Sequence, residues 1–195
     1  MRRIRLLAAL CPLLAAAPAA AQGLNLQLVP KIGVYSGIGG LTETTEIKPA
    51  LAYGVAAEIT LPFMPLNVRA NVDVVHGGEI EQRTAAEPRV GEVTMTNIVG
   101  DLVIRPLPRA VLAQPYFLAG GGIKQYDMDL ETAAGGELSG VEESSSRFTG
   151  HVGGGLDVRW GAIAFVLEVG DYISSFGDKL QNDLVGMVGF RVSMF

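Results

Sequence analysis

Apolar and polar side chains alternate without exception along residues 66–74, LNVRANVDV. The apolar set is Leu66, Val68, Ala70, Val72 and Val74, and the polar set is Asn67, Arg69, Asn71 and Asp73. Because side chains point alternately to the two faces of a strand, this stretch predicts a β-strand with one apolar and one polar face. In a soluble sheet the apolar face packs on a core, whereas in a membrane barrel it contacts lipid and the polar face lines the lumen. The stretch alone leaves both orientations open.

The same alternation recurs along the chain, while no comparable window shows helical periodicity, which predicts eight strands. In chain order they cover residues 24–34, 51–61, 66–74, 97–105, 115–126, 148–160, 163–170 and 183–194. An even number of antiparallel strands places both ends of the barrel domain at the same end of the sheet. The sequence therefore predicts an all-β fold, an eight-stranded antiparallel up-and-down transmembrane β-barrel.

The connections between the predicted strands alternate in length. Short connections cover residues 62–65, 106–113 and 161–162, and longer polar segments cover 36–49, 76–91 and 127–146, with an intermediate one at 173–181. Successive connections of antiparallel strands lie at opposite ends, so the short turns share one end and the long loops the other. Outer-membrane barrels show this asymmetry, with short periplasmic turns and longer extracellular loops.

The first residues have the pattern of a secretory signal peptide. Three arginines precede an apolar run that ends in three alanines before Gln22. A basic start, an apolar middle and a small-residue cleavage site are typical of exported proteins. We therefore predict a signal peptide at 1–21 and one outer-membrane β-barrel domain at 22–195. An uncleaved anchor helix is the alternative, although Pro12 and Pro18 interrupt the run.

The composition of the chain argues against some classes of function. Cleavage removes three arginines and Cys11, the one cysteine, which leaves 12 basic against 20 acidic residues, a net charge of −8. An acidic chain of this kind argues against nucleic acid as a partner. The sequence is 49% hydrophobic, yet the mature part has no run near the ~18 apolar residues of a membrane helix. Export and apolar strands together favour a barrel in the outer membrane.

Small residues decide the orientation of the two strand faces. The predicted polar faces carry Ala52, Gly54, Ala56, Gly120, Gly122, Gly153 and Gly155 among their charges. An eight-stranded barrel has an interior just wide enough for side chains, so small residues must alternate with large ones there. Aromatic residues lie towards the ends of the apolar faces: Tyr53, Phe63, Phe148, Trp160 and Phe195. We therefore predict that the valines of residues 66–74 face lipid. A periplasmic, lipocalin-like barrel with an apolar core is the alternative.

Three motifs carry a resemblance to a known family: QPYFLAGGG, GGGLDVRWGAIAFVLEVGDYISSF and the final GFRVSMF. With the strand pattern, they make the chain similar to the small eight-stranded outer-membrane barrels of the OmpA/OmpX type. The last motif resembles the C-terminal signal read by the outer-membrane assembly machinery, with Phe190, Val192, Met194 and Phe195 as its residues. The resemblance implies a monomer surrounded by outer-membrane lipid and lipopolysaccharide. During biogenesis its partners are the assembly machinery and periplasmic chaperones, whereas the sequence names no loop partner.

Enzymes occur on such barrels, notably lipid A deacylases and palmitoyltransferases, so a catalytic role is one alternative for this chain. A deacylase needs a serine activated by histidine and a carboxylate. His151, the one strand histidine, is flanked on its face by Thr149 and Gly153 and is predicted to point into the lumen. We predict no catalytic residues, no cofactor and no enzyme activity, with a lipid A-modifying enzyme as an alternative.

The acidic run at residues 127–131 is the one candidate for a cation site. Asp127, Asp129 and Glu131 share one face, which suits a divalent cation that bridges lipopolysaccharide. Thr132 occupies the position of the EF-hand glycine, so the EF-hand pattern fails. A solvated extension of the strand explains the run more simply, and we predict no metal site.

Charges on the polar faces are the main chemical signal. The predicted lumenal charge network consists of Glu58, Arg69, Asp101, Arg105, Asp157, Arg159, Glu168 and Arg191. Charges in a narrow, low-dielectric lumen persist when they are paired. A closed network would plug the barrel and fix its register, which predicts a structural or surface-interaction role through the loops. A gated path for ions or small solutes along the same charges is the alternative.

Overall fold

The computed structural model describes residues 25–38, 45–61, 65–82, 89–107, 112–129, 144–160, 163–176 and 179–194. The predicted signal peptide and its cleavage site lie outside the described residues, as do Phe63, Glu131 and Phe195. The described residues contain no helix of the length and apolar character needed to cross a membrane.

Nine strands in the described residues form one antiparallel sheet. They are β1 Asn25–Ile38, β2 Thr45–Ile47, β3 Ala50–Thr60, β4 Leu66–Gln82, β5 Arg89–Ile104, β6 Ala113–Asp129, β7 Ser144–Trp160, β8 Ile163–Phe176 and β9 Lys179–Ser193. Eight of them close into a barrel in the order β1-β3-β4-β5-β6-β7-β8-β9, because β1 also pairs with β9. The short β2 pairs with the far part of β4 outside this ring. The predicted fold class is confirmed.

The two ends of the barrel differ. At the terminal end, β1 begins and β9 ends, and the opposite end is here called the distal end. Several strands run further distally than predicted, since β4 continues to Gln82 and β6 to Asp129. Parts of the predicted loops at 76–91 and 127–146 are therefore strand, and that prediction is corrected. Backbone pairing continues there without the apolar alternation that marks the strands in the sequence.

A β-bulge lies where β4 leaves its regular register. The pairing between β4 and β5 shifts between Val75 and Gly78, and Gly77 has a φ of 70°. This left-handed conformation costs glycine little, because it has no Cβ. The bulge lets the distal extension of β4 continue alongside β5 after the extra residue.

The apolar faces of the strands point outward, as predicted. In β4, Val68 is 44% exposed whereas Arg69 on the opposite face is 0% exposed. The described aromatic residues predicted on these faces also point outward, with Phe148 75% and Trp160 79% exposed. The barrel therefore presents an apolar belt to its surroundings and keeps charged side chains inside, which is the polarity of a membrane barrel.

Inward glycines make room for the largest lumenal side chains. A Cβ at Gly155 would collide with the ring of Tyr116, and one at Gly170 would lie 2.7 Å from Nε2 of His151. A Cβ at Gly54 would collide with the Asp73 carboxylate. Small and large residues thus complement each other across neighbouring strands, as a narrow barrel requires.

Candidate functional site

The terminal half of the lumen holds a buried cluster of charges. Strand register brings it together, since β3 and β4 pair with Glu58 opposite Arg69 and every strand points alternate residues inward. Glu58 and Arg69 are both 0% exposed. Charges removed from water in this way must be compensated by partners of opposite sign.

Glu58 is the centre of this cluster. Its Oε2 accepts hydrogen bonds from Arg69 Nη2 at 3.1 Å and from Arg191 Nη1 at 2.8 Å. Arg105 Nη1 and Asn67 Nδ2 donate to the other oxygen, Oε1. Three guanidinium groups from three parts of the chain therefore meet on one carboxylate, and charge-assisted bonds of this kind are the stronger class.

Two further carboxylates bind the outer sides of these arginines. Asp157 accepts from Arg105 Nη2 and from Arg191 Nη2, each at 3.2 Å. Glu168 is the next acceptor and binds Arg69 Nη1 and Lys31 Nζ, the latter at 2.8 Å. Each arginine thus bridges two carboxylates, which links the pairs into one network.

Lys31 extends the network towards the distal end. Its Nζ lies 2.9 Å from Asn71 Oδ1 and 3.4 Å from Asp73 Oδ1. Asp73 in turn accepts a hydrogen bond from the hydroxyl of Tyr172. Four cations and four carboxylates therefore form the lumenal charge network as the structure defines it: Lys31, Arg69, Arg105 and Arg191 with Glu58, Asp73, Asp157 and Glu168. Its formal charges cancel.

Tyr116 occupies the middle of the network from β6. The guanidinium carbons of Arg69 and Arg105 each lie 5.2 Å from the centroid of its ring. Its hydroxyl donates to Glu168 Oε2 at 2.6 Å. The ring attracts both cations through its π face, and burial strengthens the ion pairs around it.

A histidine–carboxylate pair lies further along the lumen. His151 Nδ1 is 2.9 Å from Asp101 Oδ1, and its ring stacks on Tyr172 with centroids 4.2 Å apart. His151 is 2% exposed and points inward, as predicted. Through the Tyr172 hydroxyl on Asp73, this pair is joined to the lumenal charge network.

A second ion pair lies nearer the distal end. Lys124 contacts Asp183, and both side chains are 0% exposed. Two tyrosine rings flank the ammonium group, with Tyr35 at 5.7 Å and Tyr126 at 5.0 Å from Nζ to the centroid. The Tyr35 hydroxyl also donates to Asp183. The lumen therefore holds ion-paired groups at more than one depth, among buried apolar side chains such as Val93 and Met95.

Comparisons with known proteins find solved structures of similar fold but no matching sequence. No family model matches the chain, and no curated protein sequence does. The crystal structure of Neisserial surface protein A superposes with a TM-score of 0.59 over 88% of this chain and 97% of that chain, at 10% identity. The outer membrane protein OprG from Pseudomonas aeruginosa gives 0.53 over 86% and 95%, at 14% identity.

The chain has the fold of a small eight-stranded outer-membrane β-barrel. The resemblance read from the three sequence motifs is thereby confirmed at the level of the fold.

The network of this barrel differs in membership from the predicted one. Six predicted residues lie in it: Glu58, Arg69, Arg105, Asp157, Glu168 and Arg191. Asp101 pairs with His151 instead, and Arg159 is exposed at the terminal end of β7. Lys31 and Asp73 take their places. Both residues lie on predicted polar faces, so the alternation predicts that they point into the lumen. Their distance along the strand from the nearest short turn does not predict that they reach the network.

The acidic run at 127–131 reaches the distal end of the barrel. β6 continues through Asp127 to Asp129, and Asp127 is exposed, as in a solvated strand extension. Among the described residues, no group of three or more histidines, cysteines or carboxylates is placed to hold a metal ion.

The predicted C-terminal signal lies on the outside of the barrel. Phe190 is 47% and Met194 is 46% exposed, and Val192 shares their face. These side chains are in phase and face outward on β9, whereas Phe195 falls outside the described residues.

Proposed function

We propose that the chain is an integral outer-membrane β-barrel protein of the Gram-negative envelope, exported with cleavage after Ala21. Its role is structural or surface interaction through the distal loops, without enzyme activity. The barrel is a monomer whose lumen is plugged by the lumenal charge network. An outward apolar belt with an inward polar face supports residence in a membrane.

One observation carries the plug: seven of the eight barrel strands, and the residue that follows β5, each contribute a side chain to it. Lys31 on β1, Glu58 on β3, Arg69 on β4, Arg105 after β5, Tyr116 on β6, Asp157 on β7, Glu168 on β8 and Arg191 on β9 meet in one bonded cluster. A cluster anchored around the full circumference crosses the lumen from wall to wall. Eight strands leave no aqueous channel around it.

A narrow path for small solutes is the second candidate. Asn97 is 0% exposed, and both polar atoms of its side-chain amide make no hydrogen bond with the described residues. The same holds for Oδ2 of Asp101. Buried polar atoms are normally satisfied by protein or water, so this part of the lumen, between the two ion-paired regions, suits a small polar occupant.

The remaining alternative, a lipid A-modifying enzyme, has less support. His151 points into the lumen and is engaged by Asp101 and Tyr172, whereas a site for lipid must open to the membrane. The orientation of this histidine supports a role other than hydrolysis of lipid.

Conductance in planar bilayers tests the plug. Full-length mature protein is expected to give no steady conductance, because the network closes the lumen. The Glu58→Gln variant, which removes the charge shared by three arginines, is expected to open transiently. The matched control is Glu92→Gln, an exposed carboxylate outside the barrel, which should behave like the wild type. A steady small-ion conductance in the wild type would favour the transporter.

A further inference from the structure

Asn97 is a buried amide between the two ion-paired regions of the lumen. It points inward from β5 and is 0% exposed, and neither polar atom of its side chain makes a hydrogen bond with the described residues. Met95 and Val99, two residues away on the same face, are buried apolar side chains. Because buried polar atoms are normally satisfied by protein or by ordered water, this amide calls for a partner of its own.

The neighbouring strands place one ionised residue on each side of Asn97. In register it lies opposite Asp73 on β4 and opposite Lys124 on β6. These two side chains also point inward and are 2% and 0% exposed. Side chains at directly paired positions have Cβ atoms about 4.5–5.5 Å apart. The three residues therefore form a row, here called the amide row, with a carboxylate at one end and an ammonium group at the other.

Both ends of the amide row have hydrogen-bonding capacity left. Asp73 accepts from the Tyr172 hydroxyl through Oδ2, whereas its Oδ1 makes no hydrogen bond with the described residues and lies 3.4 Å from Lys31 Nζ. An ammonium group carries three N–H donors, and Asp183 is the one carboxylate among the described residues that Lys124 contacts. The row thus offers an acceptor at one end, donors at the other, and both kinds on the amide between them.

The charges around the amide row select a neutral occupant. Lys31 and Lys124 repel a cation, whereas Asp73 and Asp183 repel an anion. The occupant must both donate and accept, since Asn97 has a donor and an acceptor to satisfy. Paired strands lie about 4.8 Å apart, which restricts a molecule between their side chains to the size of water. Neighbouring polar groups that do not bond directly are commonly joined by water.

We propose that Asn97 binds two ordered water molecules, one shared with Asp73 and one shared with Lys124. The amide Nδ2 donates to the first water, which donates to Asp73 Oδ1. Lys124 Nζ donates to the second water, which donates to the amide Oδ1. The two waters join the lumenal charge network to the Lys124–Asp183 pair across the apolar side chains beside Asn97. This link is independent of whether the lumen conducts, because bound water satisfies the amide in either case.

Nuclear magnetic resonance of the isotope-labelled mature protein, refolded in detergent micelles, detects such water directly. Cross-peaks between water and the side-chain amide protons of Asn97 are expected, and spectra in the laboratory and rotating frames distinguish bound water from hydrogen exchange. The resonances are assigned by their loss in Asn97→Val. Amide protons of Asn97 that show no contact with bound water would overturn the inference, since the amide would then be unsatisfied or bonded directly to its neighbours.

A size-matched pair of variants gives an independent test. Valine and threonine have nearly the same shape and differ by a methyl in place of a hydroxyl. If water bridges the amide row, Asn97→Thr keeps a group that binds it and should unfold at a higher urea concentration than Asn97→Val. The control Thr96→Val, one residue away on the outward face, should match or exceed the wild type. A valine variant at position 97 as stable as the threonine variant, or more stable, would show a dry site and overturn the inference.

Discussion

The lumenal charge network is built from shared charges rather than from separate ion pairs. Glu58 binds three arginines, while each of those arginines also binds a second carboxylate. Removing one cation therefore leaves each of its carboxylates with another partner. Removing Glu58 instead leaves three guanidinium groups with fewer acceptors in a buried site. The network should thus tolerate loss of an arginine better than loss of its central carboxylate.

A double-mutant cycle on Glu58 and Arg69 tests this sharing. Breaking a buried pair typically costs about 3–5 kcal/mol, and we expect Glu58→Ala to fall within that range and Arg69→Ala below it. The double variant should recover part of the summed loss, because neither charge is then stranded. Urea unfolding in lipid vesicles gives the free energy of unfolding of the wild type, the two single variants and the double variant. Strictly additive losses would show that the two residues are uncoupled.

Neighbouring strands of this barrel place small residues beside large ones, as well as opposite charges beside each other. Gly155 on β7 faces the ring of Tyr116 on β6, whereas Gly100 on β5 points outward with no atom within 4 Å of a Cβ placed on it. The same residue type therefore has two roles, since one glycine accommodates a lumenal ring and the other lies on the open lipid-facing surface.

Alanine substitutions separate these two roles. Gly155→Ala should destabilise the barrel by about 1–3 kcal/mol, because its Cβ would collide with both the Tyr116 ring and the backbone carbonyl of Leu167. Gly100→Ala is the matched control and should be neutral or slightly stabilising, since alanine restricts the unfolded chain. The urea concentration at the midpoint of unfolding, measured in vesicles, checks both expected effects. Equal effects would mean that the collision with Tyr116 does not matter.

The molecule as a whole has no free sheet edge in its ring, because β1 pairs with both β3 and β9. Every barrel strand has two hydrogen-bonded neighbours, and the charge network connects them across the lumen. Closure of this kind removes the site at which a sheet usually begins to open or to pair with another chain. Opening the barrel requires many backbone hydrogen bonds to break together.

Resistance to detergent should follow from closure. Mature protein folded in vesicles is expected to stay folded in mild SDS, and to migrate at a different apparent mass before and after boiling. Backbone groups paired around the ring leave detergent little to solvate. Gel electrophoresis of heated and unheated samples makes the comparison. Identical migration of the two samples would indicate a sheet that is not closed.

The strands, their two faces and the presence of charges inside the barrel can be predicted from the sequence alone. Alternation with a period of two is a local property, so residues such as Val68 and Arg69 are assigned to opposite faces without knowledge of the fold. Glycines on the polar faces likewise indicated a narrow lumen. Strand ends were underestimated where the apolar alternation stops before the backbone pairing does, as in β4 and β6.

Which charges come into contact depends on how the strands are arranged in three dimensions. Arg69 and Glu168 are 99 positions apart in the chain, and Glu58 and Arg191 are 133 apart. Their contact depends on the stagger of eight strands closed into a ring, which no single stretch encodes. For the same reason Asp101 binds His151 rather than an arginine, and Lys31 and Asp73 joined the network. The pairing of charges across a closed barrel is a property of the whole molecule, whereas the polarity of each strand face follows from that strand's own residues.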